Sequence, residues 1–416
     1  MPVSRPPRLS LRLSFWLALP GLFGTAAAVA APVTSPLAAT PPAAAASTVY
    51  TPKLIERAKA WGSATADYNG DGHQDIFVTG HDPNDRIWYW TTKGYIASKQ
   101  VFPDVDRHAC TTADVNGDGR IDLYCAVGAD KGTGLKANEL WLQGADGFMV
   151  AKTGHGAEDP SGRSRIPLFF DLNHDGKPDL YSSNLASPRT DGLPNFNHVF
   201  LGHGDGTFSE VSTIATGGLG SQCVVKGDIN HDGWDDLLVC DEKSPGHLFV
   251  NNHRNDFVEL SLPPLAMLEW HDAKLADLDG DGWDDLVLLD ANNHLKVWFN
   301  KGTGGFTGDP VLDVALPGYA VSLTVGDFNK DRRMDIYVVL QDLTCHASPN
   351  SKSIDIEPDM VFWGQADHTW VAERLTTQAG LEGCGHLADT LDGYKVLLEN
   401  GGTDWVGPEL VLSWVK

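Results

Sequence analysis

The sequence predicts an all-β fold: a seven-bladed β-propeller of four-stranded antiparallel blades. Three observations lead there. An acidic nonapeptide recurs six times. Its first residues are 47, 57, 57, 49 and 50 positions apart, a period typical of propellers and solenoids. Short β-rich runs flank every copy.

The nonapeptide carries an acid at its first place, Asp or Asn at its third, and Asp at its fifth and ninth. Loop one has Asp67, Asn69, Asp71 and Asp75; loop two Asp114, Asn116, Asp118 and Asp122; loop three Asp171, Asn173, Asp175 and Asp179. Loop four has Asp228, Asn230, Asp232 and Asp236; loop five Asp277, Asp279, Asp281 and Asp285; loop six Asp327, Asn329, Asp331 and Asp335. Oxygen ligands at alternating places on a tight loop converge on one point, which suits calcium better than magnesium, with its rigid octahedral demand. Calcium is expected at five loops. The sixth stands apart, because Arg332 replaces the glycine found at the sixth place elsewhere and Lys330 and Arg333 add positive charge. The seventh place (His73, Arg120, Lys177, Trp234, Trp283, Arg333) varies freely, as expected where only a backbone carbonyl would bind the ion.

After each loop comes a second strand such as Ile76-Phe77-Val78 or Leu237-Leu238-Val239. A third follows, such as Ile87-Trp88-Tyr89-Trp90 or Val297-Trp298-Phe299, then a Gly/Asn/Asp turn, then a fourth such as Phe208-Ser209-Glu210-Val211. Four such strands make a propeller blade. A last unit lacks the acids and one strand. The N-terminal run Val49–Arg57 resembles Trp370–Leu375 and is expected to supply that strand and close the ring, leaving few free edges. EF-hand and dockerin loops use similar acids, but they run to a twelfth-place acid and enter a helix. Here the ninth place closes the set and a strand follows.

These units resemble FG-GAP or VCBS-type repeats, as in integrin-α propellers. The pieces that carry the likeness are Val115-Asn116-Gly117-Asp118-Gly119-Arg120-Ile121-Asp122-Leu123 and Gly204-Asp205-Gly206-Thr207-Phe208. The resemblance spans about residues 48–416 and implies a seven-bladed propeller with calcium in the first hairpin of most blades. It does not fix function, because the repeat serves adhesins, lectin-like modules and carbohydrate lyases alike.

Residues 1–30 read as a secretory signal peptide, with Arg5, Arg8 and Arg12 before an apolar stretch and Ala28-Val29-Ala30 at the cleavage site. Residues 31–47 read as an Ala/Pro-rich linker. The expected location is secreted or periplasmic, with no membrane span after signal removal. A net charge of −24 disfavours nucleic acid and anionic membranes as partners. Six cysteines in an exported chain point to disulfides. Cys110 with Cys125, and Cys223 with Cys240, straddle a loop in one antiparallel register; Cys345 and Cys384 pair by default.

Six residues before each first aspartate stand Trp61, His108, Arg165, Gln222, His271 and Val321. In a propeller the first strand lines the central channel, so these residues should ring its mouth. Trp61, His108, Arg165, Gln222 and His271 form a candidate site for a sugar-like or carboxylated ligand. Trp234 and Trp283 are expected to cover their own loops. No nucleophile elbow, phosphate loop or zinc signature occurs, and no catalytic residue is assigned. The expected role is a binding or adhesion module for a glycan or protein. The alternative is a polysaccharide lyase or dehydratase working at the channel mouth.

Overall fold

The computed structural model describes residues 50–58, 60–80, 85–128, 136–184, 196–214, 221–241, 245–260, 269–302, 305–306, 308–341, 359–375, 387–391, 395–399 and 407–414. Chain contacts separate Met1–Ser47 from Thr48–Lys416. The segments expected to be signal and linker, and Cys345 and Cys384, lie outside the described residues. No helix among the described residues is long and apolar enough to cross a membrane.

The described chain is all strand and turn. After β1 (Tyr50–Ala58), blade one is β2 (Ala60–Ala66), β3 (Asp75–Gly80), β4 (Arg86–Tyr89) and β5 (Ile96–Ala97). Blade two is β6 (Arg107–Ala113), β7 (Asp122–Val127), β8 (Glu139–Gln143) and β9 (Met149–Lys152). Blade three is β10 (Ser164–Phe170), β11 (Asp179–Asn184), β12 (Asn197–Gly202) and β13 (Phe208–Ile214). Blade four is β14 (Ser221–Gly227), β15 (Asp236–Asp241), β16 (His247–Asn251) and β17 (Phe257–Leu260). Blade five is β18 (Trp270–Ala276), β19 (Asp285–Asp290), β20 (His294–Trp298) and β21 (Leu312–Ala315). Blade six is β22 (Tyr319–Gly326), β23 (Asp335–Gln341), β24 (Met360–Gly364) and β25 (Trp370–Arg374). The chain ends in β26 (Leu387–Leu391), β27 (Lys395–Glu399) and β28 (Gly407–Trp414).

The expected count of seven blades is corrected here. Six blades, not seven, are four-stranded units of consecutive chain, each with an acidic hairpin. The remaining four-stranded sheet is a composite, ordered β1-β28-β27-β26, that joins the first and last described strands. Its β1 runs antiparallel to β28, from Tyr50 opposite Trp414 to Ala58 opposite Gly407. It has no acidic loop because Leu387–Leu391 passes to Lys395–Glu399 without the nonapeptide.

The core is divided among the seams between neighbouring sheets. The second strand of each blade alternates its side chains between two seams. In β19, Leu286 and Leu288 pack toward blade four while Val287 and Leu289 pack toward blade six. In β7, Leu123 and Cys125 face blade one while Tyr124 faces blade three. Covered on both faces, β7, β11 and β19 are buried at every position. Full burial of such a side chain contributes roughly 1.5–3 kcal/mol. Burial on both faces explains why β7 and β19 read as continuous apolar runs rather than alternating ones. The composite sheet is packed on both sides too. Val396 joins Tyr337 and Val361 of blade six, and Val411 joins Ile76 and Val78 of blade one.

Two disulfides cross hairpins. Cys110 bonds Cys125 between β6 and β7, and Cys223 bonds Cys240 between β14 and β15. In both pairs the two residues are directly opposed in the ladder.

Candidate functional site

Each acidic loop is the turn between the first two strands of its blade. The first strand stops one residue before the first aspartate, and the ninth-place aspartate is the first residue of the second strand, from Asp75 in β3 to Asp335 in β23. The loops therefore enter strands, not helices.

Backbone N–H groups organise the carboxylates. In loop four, Asp228 accepts from the Asp232 and Gly233 amides at 2.9 and 2.8 Å. Asn230 accepts from Asp232 at 2.9 Å, and Asp232 accepts from Trp234 at 3.0 Å. The chain must turn left-handed twice to allow this. Gly72 and Gly282 do so at the sixth place with φ of 84° and 90°. The fourth place does so as well, with Gly70 and Gly280 in loops one and five but His174 and His231 in loops three and four. Arg332 adopts φ 69°, and its amide still donates to Asp327 at 2.8 Å. Loop six therefore keeps the shape despite the missing glycine.

The ninth-place aspartates are fully buried. One oxygen accepts from the loop and the other from the end of the third strand. Asp285 Oδ2 takes the Leu278 amide and Oδ1 the Asn300 amide, both at 2.8 Å. Asp75 does the same with Tyr68 at 3.0 Å and Trp90 at 2.7 Å. Burial pushes Asp75 up to about 7, and the charges of Asp71 and Asp67 add to the push. Burial likewise raises Asp285 to about 6 and Asp335 to about 7. The sequence assigns the ninth place to metal alone and gives no sign of this clamp between hairpin and third strand.

The loops differ in how their charge is met. Arg120 pairs with Asp118 and Arg333 with Asp331; Lys177 lies 3.2 Å from Asp175, and His253 lies 2.8 Å from Asp232. In loop five no basic side chain forms an ion pair with Asp281 among the described residues. There Asp277, Asp279 and Asp285 each offer an oxygen within 4.8 Å of the others. An all-oxygen donor set, crowded and partly buried, fits a hard divalent cation.

Trp234 and Trp283 each meet a histidine of the preceding acidic loop. His174 of loop three stacks on Trp234 with ring centroids 3.9 Å apart and planes 5° apart. His253 stacks on Trp234 as well, at 4.6 Å. His231 of loop four meets Trp283 at 4.3 Å.

On the opposite face, the first strand of every blade carries a register shift. The shifts fall between Ala60 and Gly62, Arg107 and Ala109, Ser164 and Pro167, Ser221 and Cys223, Trp270 and Asp272, and Ala320 and Ser322. The six positions singled out from the sequence fall inside these bulges. Bulges re-aim side chains and are common beside binding sites. Arg165 Nη1 hydrogen-bonds the ring of His108 on the neighbouring blade, and Asp106 lies 3.4 Å from His108 Nε2. His271 lies 5.3 Å from the Tyr319 ring, beside the blade-six bulge. The side chains of Trp61 and Gln222 lie outside the described residues.

The FG-GAP-like repeat model matches residues 67–125, 114–182, 171–239 and 277–338, together more than half of the chain. The chain belongs to the FG-GAP-like repeat family. No curated protein matches the chain. Among solved structures, this FG-GAP-like chain is similar to BBS1N in complex with ARL6DN, soaked with mercury. That match has a TM-score of 0.54 and 10% identity over 89% of this chain and 98% of that one. The lead-soaked form of the same complex gives 0.51 and 10%, over 86% and 93%. A streptogramin B lyase structure gives 0.52 and 13%, over 88% and 98%. At these identities the likeness shows the propeller fold alone. Two disulfides, and no membrane-length apolar helix among the described residues, are compatible with an extracellular protein.

Proposed function

We propose that this FG-GAP-like propeller is an exported, calcium-stabilised interaction module. Its acidic loops hold calcium on one face, and the mouth on the other face receives a protein or glycan ligand. The observation that carries the ligand site is the bulge at the same place in six first strands, with Arg165 brought against His108 across a blade seam. A rigid ring of strands presenting re-aimed side chains at one opening is how a propeller builds a site without a second domain. BBS1N, of similar fold, forms a complex with a protein, ARL6DN, which is in keeping with a protein ligand. Calcium is supported by the donor set of Asp277, Asp279 and Asp285. Loop five has the strongest support, since there three carboxylates converge while no basic side chain among the described residues pairs with its fifth-place carboxylate. When bound, calcium would neutralise the loop carboxylates and brace the hairpins. Extracellular calcium sites of about 0.1–1 mM suffice for that role.

The two halves are tested separately. Titration calorimetry with calcium should show binding, and excess EDTA should lower the melting temperature; an unchanged melt with no calcium heat overturns the calcium half. Glycan arrays and immobilised extracellular proteins should bind the wild-type chain and lose His108→Ala and His271→Ala. Binding that survives both changes moves the ligand site away from the mouth. The placement of His108 beside Arg165 favours one further reading, a lyase or dehydratase acting on uronates, with His as base and Arg neutralising the carboxylate. Unsaturated products from polyuronates would establish it.

A further inference from the structure

The third strand of a blade ends between two acidic loops, its own and that of the preceding blade. Asn300 shows how both are held. Its backbone amide donates to Asp285 Oδ1 in its own blade at 2.8 Å. Its side-chain Nδ2 donates to the Ile229 carbonyl of loop four, also at 2.8 Å. The Ile229 amide in turn donates to Asp236 Oδ2 at 3.2 Å. A continuous hydrogen-bonded path thus runs from Asp236 through Ile229 and Asn300 to Asp285.

The arrangement recurs. Asn251 donates from its backbone to Asp236 Oδ1 at 2.9 Å and from its side chain to the Leu172 carbonyl of loop three at 3.0 Å. Gln143 donates from its backbone to Asp122 Oδ1 at 2.8 Å and from its side chain to the Tyr68 carbonyl of loop one at 2.6 Å. Blade three reaches the same end by another route. Its third strand stops at Gly202, where a Cβ would lie 2.1 Å from the Pro178 carbonyl, so no side chain fits there. The Gly206 amide takes over and donates to the Val115 carbonyl of loop two at 3.0 Å. The series stops at blade six. Gly364 donates from its backbone to Asp335 at 2.8 Å, but a Cβ there would lie 2.5 Å from the Met334 carbonyl. Among the described residues nothing in blade six hydrogen-bonds the Leu278 carbonyl.

We propose that Gln143, Asn251 and Asn300 are positioning residues that couple loops one to five in series, loops one to four each being held in shape by the blade that follows. A cation that draws a ninth-place aspartate toward the loop moves the second-place residue bonded to it. That residue moves the next blade's third strand, whose amide sits on the next ninth-place aspartate. Binding along this arc is therefore cooperative, while loop six responds alone. The transmitted event rests on the calcium reading; the mechanical coupling does not.

The test uses the full chain, wild type against Asn300→Ala, with Asn300→Gln as rescue because Gln143 does the same work in blade two. Amide hydrogen exchange is followed in EDTA and in calcium. In EDTA, Asn300→Ala should speed exchange at Asp232, Gly233 and Trp234 of loop four by about fivefold, the worth of one hydrogen bond. Loop six should be unchanged, and Asn300→Gln should restore the wild-type rate. Acceleration confined to blade five, or equal in loops four and six, overturns the coupling. If Asn300→Ala does not fold, Asn251→Ala is read instead at Asp175, Gly176 and Lys177 of loop three. Faster exchange there with loop six unchanged supports the coupling, and any other pattern overturns it. In calcium, the Hill coefficient of the titration should exceed one and fall toward one in the variant; a coefficient of one in the wild type overturns the cooperative claim. If the wild type binds no calcium, the calcium reading fails and the exchange result in EDTA alone decides the coupling.

Discussion

His174 stacks on Trp234 across a blade seam, their ring planes 5° apart. With His253 also stacked on the indole, the faces that a sugar ring would use are already occupied. Trp234→Ala should destabilise the protein by about 1 kcal/mol, the usual worth of an aromatic pair, and leave glycan binding unchanged. Chemical denaturation and an array measure the two effects. Loss of glycan binding would place a sugar site on the loop face.

The buried clamp at the ninth place makes a contrast between two aspartates of one loop. Asp285→Ala strands the amides of Leu278 and Asn300, and two unpaired buried donors cost about 2–5 kcal/mol. Asp281 is exposed and accepts from Trp283 at 2.9 Å, so Asp281→Ala should cost under about 1 kcal/mol in EDTA. In calcium both losses should grow by a similar amount, because each change would then also remove a proposed ligand. Denaturation in both buffers checks this; equal losses in EDTA would refute the clamp.

Arg332 holds a left-handed backbone, φ 69°, that a Cβ opposes. Arg332→Gly should stabilise loop six by about 0.5–1 kcal/mol. Gly282→Ala, at φ 90°, should move stability the other way. Denaturant midpoints give both signs.

Burial raises the Asp359 carboxyl to about 6, against hydrogen bonds from the Tyr337 hydroxyl and the Leu340 amide. An unfolded aspartate titrates near 3.9. The folded chain therefore holds this proton more tightly than the unfolded chain does. Its contribution is fully present below pH 4 and is lost as pH rises through about 6. The full swing is at most about 3 kcal/mol. Asp359→Asn should flatten the fall in stability between pH 4 and 6. Denaturation of both proteins in EDTA across that range isolates the group, and identical slopes would exclude it.

Local chemistry was the legible part. The nonapeptide told where strands one and two meet, because its first and ninth aspartates bracket the turn that the chain makes. The cysteine offsets told the hairpin register, since both pairs keep the same sum along the ladder. The first-strand bulges were legible only as a column of polar and aromatic residues at a fixed offset, without the backbone shift that re-aims them. What lies between blades was hidden. Nothing local shows that Asn300 reaches Ile229, 71 residues away, or that His174 and His231 take glycine's place at a left-handed turn and pack against the next loop's tryptophan. The apolar runs that fill the seams were visible, but a two-sided run does not say which neighbour each side chain meets.

The pairing of β1 with β28 sets a timetable. Strand β1 has no partner until β28 has been synthesised, so the ring stays a horseshoe until then. During that interval the side of blade one that later meets Val411, and the side of blade six that later meets Val396, are bare apolar surfaces. A holding chaperone has its clearest target there, and a fragment ending before β28 would remain adhesive however well its other blades had formed.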